Sequence, residues 1–140
     1  MQQAPELKDI LHHFYQGFAS GDPSAFERLM SRQEGVLAIG TDPHEWWDNA
    51  ETLERVTRAQ LQEMRAAGMS IVPGDAQCYR EGTVGWIADR PSFRLADGTE
   101  VPTRLTLVLH QEDGEWKAVQ FHTSIGVSNQ DAAGVDLTTE

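Results

Sequence analysis

Gly68 divides this chain into two hydrophobic rhythms, and few folds accept both. Before it, apolar residues recur three and four positions apart; after it, they alternate. Leu7, Ile10, Leu11, Phe14 and Phe18 form one stripe of a first helix, with Pro5 suited to its first turn and Ser20-Gly21 ending it. Asp22 as cap and Pro23 at the first helical position start a second helix, whose buried side is Phe26, Leu29 and Met30. Gly35 to Ile39 reads as a short strand. A third helix begins with either Asp48 and Glu51 or Asn49 and Thr52 as its capping pair. It buries Leu53, Val56, Gln60, Met64 and Ala67, and Gly68 closes it.

Beyond Gly68 the alternation predicts strands at Met69–Val72, Gln77–Arg80, Thr83–Arg90 (continuing to Leu95), Thr103–His110 and Trp116–Ile125. Pro73-Gly74, Glu81-Gly82, Asp97-Gly98 and Glu112-Asp113-Gly114 punctuate them. Three helices followed by an antiparallel meander make an α+β plan, with the N-terminal helices packed on one face of a curved antiparallel sheet. One domain is expected over residues 1–128, which is long enough to bury a core. Residues 129–140 are small, polar and acidic, and are expected to form a flexible tail.

Eleven Lys and Arg against 22 Asp and Glu give a net charge of −11, which argues against nucleic acid and against anionic membrane surfaces as partners. No apolar run is long enough to cross a bilayer, and Met1-Gln2-Gln3-Ala4-Pro5 lacks the basic-then-apolar pattern of a secretory leader. The lone Cys78 has no internal disulfide partner, so a reducing cytoplasm is the expected location. His12 and His13 are helix neighbours pointing in different directions, while His44 and His110 stand alone. With no ligand spacing and no Gly-rich phosphate loop, neither metal nor cofactor is expected.

Turn lengths sort the strand faces. Asp97-Gly98 as a two-residue turn sets Ala88 opposite Leu107 and Trp86 opposite Leu109. A three-residue Glu112-Asp113-Gly114 loop sets Leu107 opposite Val119 and Leu105 opposite Phe121. The more apolar face then holds Trp86, Ala88, Arg90, Leu105, Leu107, Leu109, Val119, Phe121 and Thr123, and is expected to face the helices. The other face holds Ile87, Asp89, Arg104, Thr106, Val108, Trp116, Gln120, His122 and Ser124. Its mixture suits a partner subunit, so a homodimer through the sheet is expected. On it Asp89, Arg104, Trp116 and His122 read as a polar patch at that seam; a register shift of one would make them a second polar site instead.

The segment from Gly40 to Trp47 holds Asp42, His44, Glu45 and two of the four tryptophans. Indole is costly to leave in water, so the loop is expected to cover a cavity. The expected guest is a small, largely apolar organic molecule contacted by Phe14, Phe18, Trp46, Trp47, Trp86, Arg90, Leu107, Phe121 and Thr123. An inward Arg90 would favour a carboxylate.

Three local matches, in order, make a resemblance. They are Ser20-Gly21-Asp22 at the first helix junction, Asp42-Pro43 after the first strand, and Asp113-Gly114-Glu115-Trp116 followed by Phe121-His122-Thr123-Ser124. Across residues 5–128 the chain resembles the nuclear transport factor two-like superfamily, which includes SnoaL-like proteins, ketosteroid isomerases and the association domains of calmodulin-dependent kinases. The resemblance implies a cone-shaped α+β barrel with an internal pocket, paired through its sheet. It also implies Asp42 as a general base in isomerase, cyclase or dehydratase style, although Asp-Pro is equally a turn starter. Where isomerases carry their oxyanion donors this chain has Phe14, with Tyr15 one residue on and turned about 100° around the helix, and Thr103 or Thr106. The cavity arginines of the kinase association domains would fall at Ala88, Leu107 and Thr123. The functional expectations are therefore a SnoaL-like small-molecule binder, an Asp42 enzyme, or an assembly module with a vestigial pocket.

Overall fold

Leu7 and Leu11 are almost wholly buried, which fixes the first helix against the sheet. A computed structural model describes residues 1–140. The chain runs β1 (Gln2–Gln3), α1 (Glu6–Ser20), α2 (Ser24–Leu29), β2 (Leu37–Ile39), β3 (Trp46–Trp47), α3 (Ala50–Ala66), β4 (Ser70–Val72), β5 (Gln77–Glu81), β6 (Val84–Asp89), β7 (Ser92–Arg94), β8 (Glu100–Glu112), β9 (Glu115–Ile125) and α4 (Asn129–Ala133). Gly21 ends α1 in the left-handed conformation that glycine adopts without strain (φ 71°). Asn49 is the cap of α3, accepting from the Thr52 N–H at 2.8 Å. Gly85 lets α1 approach β6, since a Cβ there would stand 3.0 Å from Leu7 Cδ1.

The strands follow the order β1-β5-β6-β8-β9-β2-β3, with β4 on β7 and β7 on β8. The result is a curved sheet, open between β1 and β3, with the helices across its concave face. It is mixed rather than purely antiparallel, because β2 runs parallel to β9, with Ala38 beside Phe121. That pairing follows from β2 entering after two helices instead of through a hairpin. Two short strands lie outside the expected set. β1 extends β5, and β3 returns along β2. The C-terminal residues include the short helix α4, capped by Ser128, and all of 129–140 are exposed.

Two hairpins differ from expectation, and together they re-sort the faces. Asp97-Gly98 lies within a three-residue loop: Leu95 accepts from Gly98 N–H at 2.9 Å and donates to Thr99 at 2.8 Å, with Gly98 at φ 86°. The extra residue moves β6 by one position, giving Ile87 opposite Leu107 and Asp89 opposite Leu105. Ile87 and Asp89 therefore point inward, and Trp86 and Ala88 point outward. The second loop is a tight Asp113-Gly114 turn, with both residues at positive φ (52° and 82°) and Glu112 opposite Glu115. A bulge near Val108/Leu109 then brings Leu107 opposite Phe121. This is two positions from the expected pairing, so Leu105, Leu107, Leu109, Phe121 and Thr123 keep their inward face. Beyond the bulge Ala118 also turns inward, and so does Trp116, whose ring lies 5.7 Å from the Arg80 guanidinium.

The sealed core joins Leu7, Leu11, Ile87, Leu107, Leu109 and Ala118. Ile87→Ala should cost about 2–5 kcal/mol, as expected for a fully buried side chain. Ala88→Thr, its outward neighbour, should change stability by less than about 1 kcal/mol. Urea unfolding of both variants checks the register, and the opposite order would indicate the two-residue turn.

Candidate functional site

The end of the sheet away from Leu7 stays hollow. A cavity of about 430 Å³ lies between α1, α3 and the concave sheet. Its buried walls include Phe14, Phe26, Leu53 and Leu105, and its part-exposed mouth includes Trp47, Met64, Met69 and Phe93. Phe14 anchors an aromatic cluster, with ring centroids 4.8 Å from Phe18, 5.6 Å from Phe121 and 6.0 Å from Phe26.

The tryptophan segment is a hairpin. β3 pairs with β2 so that Trp47 sits beside Ala38 and Trp46 beside Ile39. Strand alternation sends neighbouring side chains to opposite faces. Trp47 accordingly lines the cavity with Ala38, whereas Trp46 faces outward and is 63% exposed.

Polar groups enter the wall in two places. Near the mouth, the Glu45 carboxylate accepts from Asp42 N–H (3.1 Å) and from Gln60 Nε2 (3.2 Å). Gly40 makes room for it, since a Cβ there would come within 2.7 Å of the Glu45 carboxyl carbon. At the buried end, Tyr15 lines the cavity and its hydroxyl donates to Asp89 Oδ2 at 2.7 Å. Asp89 also accepts from Gly74 N–H (3.2 Å) and Arg90 N–H (2.8 Å). Burial, then the hydrogen bond to Asp89 and that residue's negative charge, push Tyr15 ionisation well above the usual phenol range. Its proton is committed to Asp89. No Lys, Arg or His lines the cavity. Nowhere do three or more His, Cys, Asp or Glu side chains group as metal ligands would.

Of the residues expected at a pocket, Phe14, Phe18, Trp47, Phe121 and Thr123 line this cavity. Four do not. Leu107 is sealed in the core, Trp46 and Trp86 lie on the outward side of their strands, and Arg90 is exposed beyond the end of β6. Asp42 also lies outside the wall. Its carboxylate is solvent-exposed and accepts from the His44 N–H (2.8 Å), with His44 Nδ1 at 3.0 Å. These bonds, the backbone one foremost, hold it below the usual carboxylate range, the opposite of what a general base requires. It acts as a turn starter. The expected cluster of Asp89, Arg104, Trp116 and His122 is dispersed. Asp89 and Trp116 lie on the inward face, while Arg104 and His122 keep the outward face, opposite Ser124 and Thr106.

Tyr15, Glu45 and Thr103 were not among the residues expected to line the pocket, and Asp89 was expected on the opposite face, in the polar patch. Tyr15 had a signal, since it lies four positions after Leu11 on the same helical stripe. Asp89 needed the correct turn length, and Glu45 needed the β2–β3 pairing.

An open cone of curved mixed sheet with helices over its hollow face is the fold of nuclear transport factor two-like proteins. The SnoaL-like domain family matches residues 7–128, and the chain belongs to that family. Among solved structures it is similar to a nuclear transport factor two-like protein of unknown function from Pseudomonas putida, at 10% identity over 99% of both chains and a TM-score of 0.75. It is also similar to a proposed calcium/calmodulin-dependent protein kinase II association domain from Xanthomonas campestris, at 19% identity over 90% of this chain and 89% of that one (TM-score 0.71). A proposed ketosteroid isomerase from Shewanella frigidimarina shares 16% identity over 83% and 92% (TM-score 0.69). At these identities the likeness is one of fold. No curated protein matches the sequence.

Tyr15→Phe should lower stability at neutral pH by about 1–3 kcal/mol, because it removes a donor from a buried carboxylate. The raised tyrosine pKa adds a pH signature. The contribution is complete below the unfolded value of 10.0 and is lost as the pH rises above it toward the folded value. Melting curves from about pH 8 to 12 should show the wild type losing its advantage over Tyr15→Phe above about pH 10.

Proposed function

We propose that this protein binds a small, largely apolar organic molecule inside the cone. The observation that carries the reading is the cavity of about 430 Å³ walled chiefly by aromatic and aliphatic side chains. That volume falls in the usual range for small-molecule sites, roughly 300–1,000 Å³. Moving apolar surface of a guest out of water into such a wall is favourable at about 25 cal/mol per Å². A cavity of this size also argues against an assembly module whose pocket has closed. Isomerase or dehydratase chemistry through Asp42 has no support from that residue's exposed position. The single, buried Cys78 favours a reducing compartment such as the cytoplasm, and no helix is long and apolar enough to cross a membrane.

Phenylbutanol, a neutral probe, should quench or shift Trp47 fluorescence and bind saturably. Met64→Trp, which fills the mouth from α3, should weaken that binding by about tenfold or more, a loss of about 1.4 kcal/mol. Equal binding by the two proteins would place the probe outside the cone.

A second reading concerns the outer sheet face, where Tyr79 and Trp86 stack at 5.0 Å beside the half-buried Val108. Aromatic rings on an otherwise polar sheet support pairing of two copies through this face. Sedimentation should then show a dimer at micromolar concentration and a monomer for Trp86→Glu, and a monomeric wild type would refute the pairing.

A further inference from the structure

Glu45 stands in the cavity wall without a counter-charge. Both hydrogen bonds it receives come from uncharged donors, the Asp42 N–H and the Gln60 amide. It takes part in none of the ion pairs of the fold. A second carboxylate, Glu63, lines the same cavity from α3, again without a cationic partner and with no Lys, Arg or His anywhere in the wall. The negative charge at the mouth is therefore uncompensated by the protein, whose net charge of −11 adds to it. The cavity is also lined by the aromatic side chains of Phe14, Phe18, Trp47, Phe93 and Phe121. Aromatic faces attract cations through their quadrupole.

We propose that the guest is an aromatic or aliphatic amine in its protonated form, its apolar body in the hollow and its ammonium group against Glu45 at the mouth. This rests on the small-molecule reading above and narrows it to one chemical class. A carboxylate or phosphate guest would be desolvated beside unneutralised like charge, which penalises it. A neutral guest would cover Glu45 without supplying the missing charge. A protonated amine supplies that charge and donates to the free lone pairs, and charge-assisted hydrogen bonds of this kind are the strong ones. Glu45 is held ready for this contact by the Asp42 N–H, and the missing side chain of Gly40 leaves room for its carboxylate.

Calorimetric titration of the full chain with phenylbutylamine, phenylbutanol and phenylbutanoate, which share one apolar body, tests the assignment. The amine should bind about tenfold more tightly than the alcohol, and the carboxylate more weakly than either. In Glu45→Gln the amine-to-alcohol ratio should fall from about ten to about one. In the wild type, added salt should narrow the same ratio, a measurement that needs no variant. Equal binding of amine and alcohol by the wild type would overturn the proposal while leaving the apolar pocket in place. So would a ratio that persists in Glu45→Gln, or a preference for the carboxylate. Failure of all three probes to bind would overturn both readings.

Discussion

Leu7 and Leu11 lose nearly all contact with water in a core shared with Ile87, Leu107 and Leu109, and this seal holds one end of the helix layer against the sheet. Gly85 allows the close approach that the seal requires. Further along α1 the side chains become aromatic. Phe14 meets Phe18, Phe26 and Phe121 ring to ring. Aliphatic packing seals one end, and the aromatic cluster lines the hollow on which any ligand role depends.

The hollow is asymmetric in its polar groups as well as its shape. At the buried end, the Asp89 carboxylate accepts from Tyr15 and two backbone N–H groups, so its charge is spent on structure. This arrangement ties α1 to the end of β6 and to the chain after β4. At the mouth, Glu45 keeps free lone pairs in a wall it shares with aromatic side chains. The Asp89 carboxylate, enclosed by donors behind Tyr15, and the Glu45 carboxylate, in the cavity wall itself, thus differ in role.

Much of this architecture was legible in the residue order. The change of rhythm at Gly68 separated helices from strands, and Asn49 with Thr52 was one of two caps the sequence offered for α3. The aromatic stripe of α1 was legible, as were Trp47, Phe121 and Thr123 as cavity residues. What misled was loop length. Asp97-Gly98 suits a two-residue hairpin, yet Leu95 and Thr99 close a three-residue loop around it, and one residue exchanges every side chain of β6 between faces. Trp86 and Arg90 left the expected pocket for that reason, and Asp89 entered the interior.

Local chemistry along the chain determined the helices, most of the strands, the α+β plan and the resemblance to SnoaL-like proteins, because periodicity and turn residues act over a few positions. Tertiary structure alone decided which of two adjacent tryptophans faces the hollow, where Glu45 stands, and that Asp89 meets Tyr15. Those outcomes depend on strand parity and on pairings between distant segments, as when β2 comes to lie along β9. A short-range pattern carries no record of which partner it will meet, so the site became definite only once the sheet had curved around it.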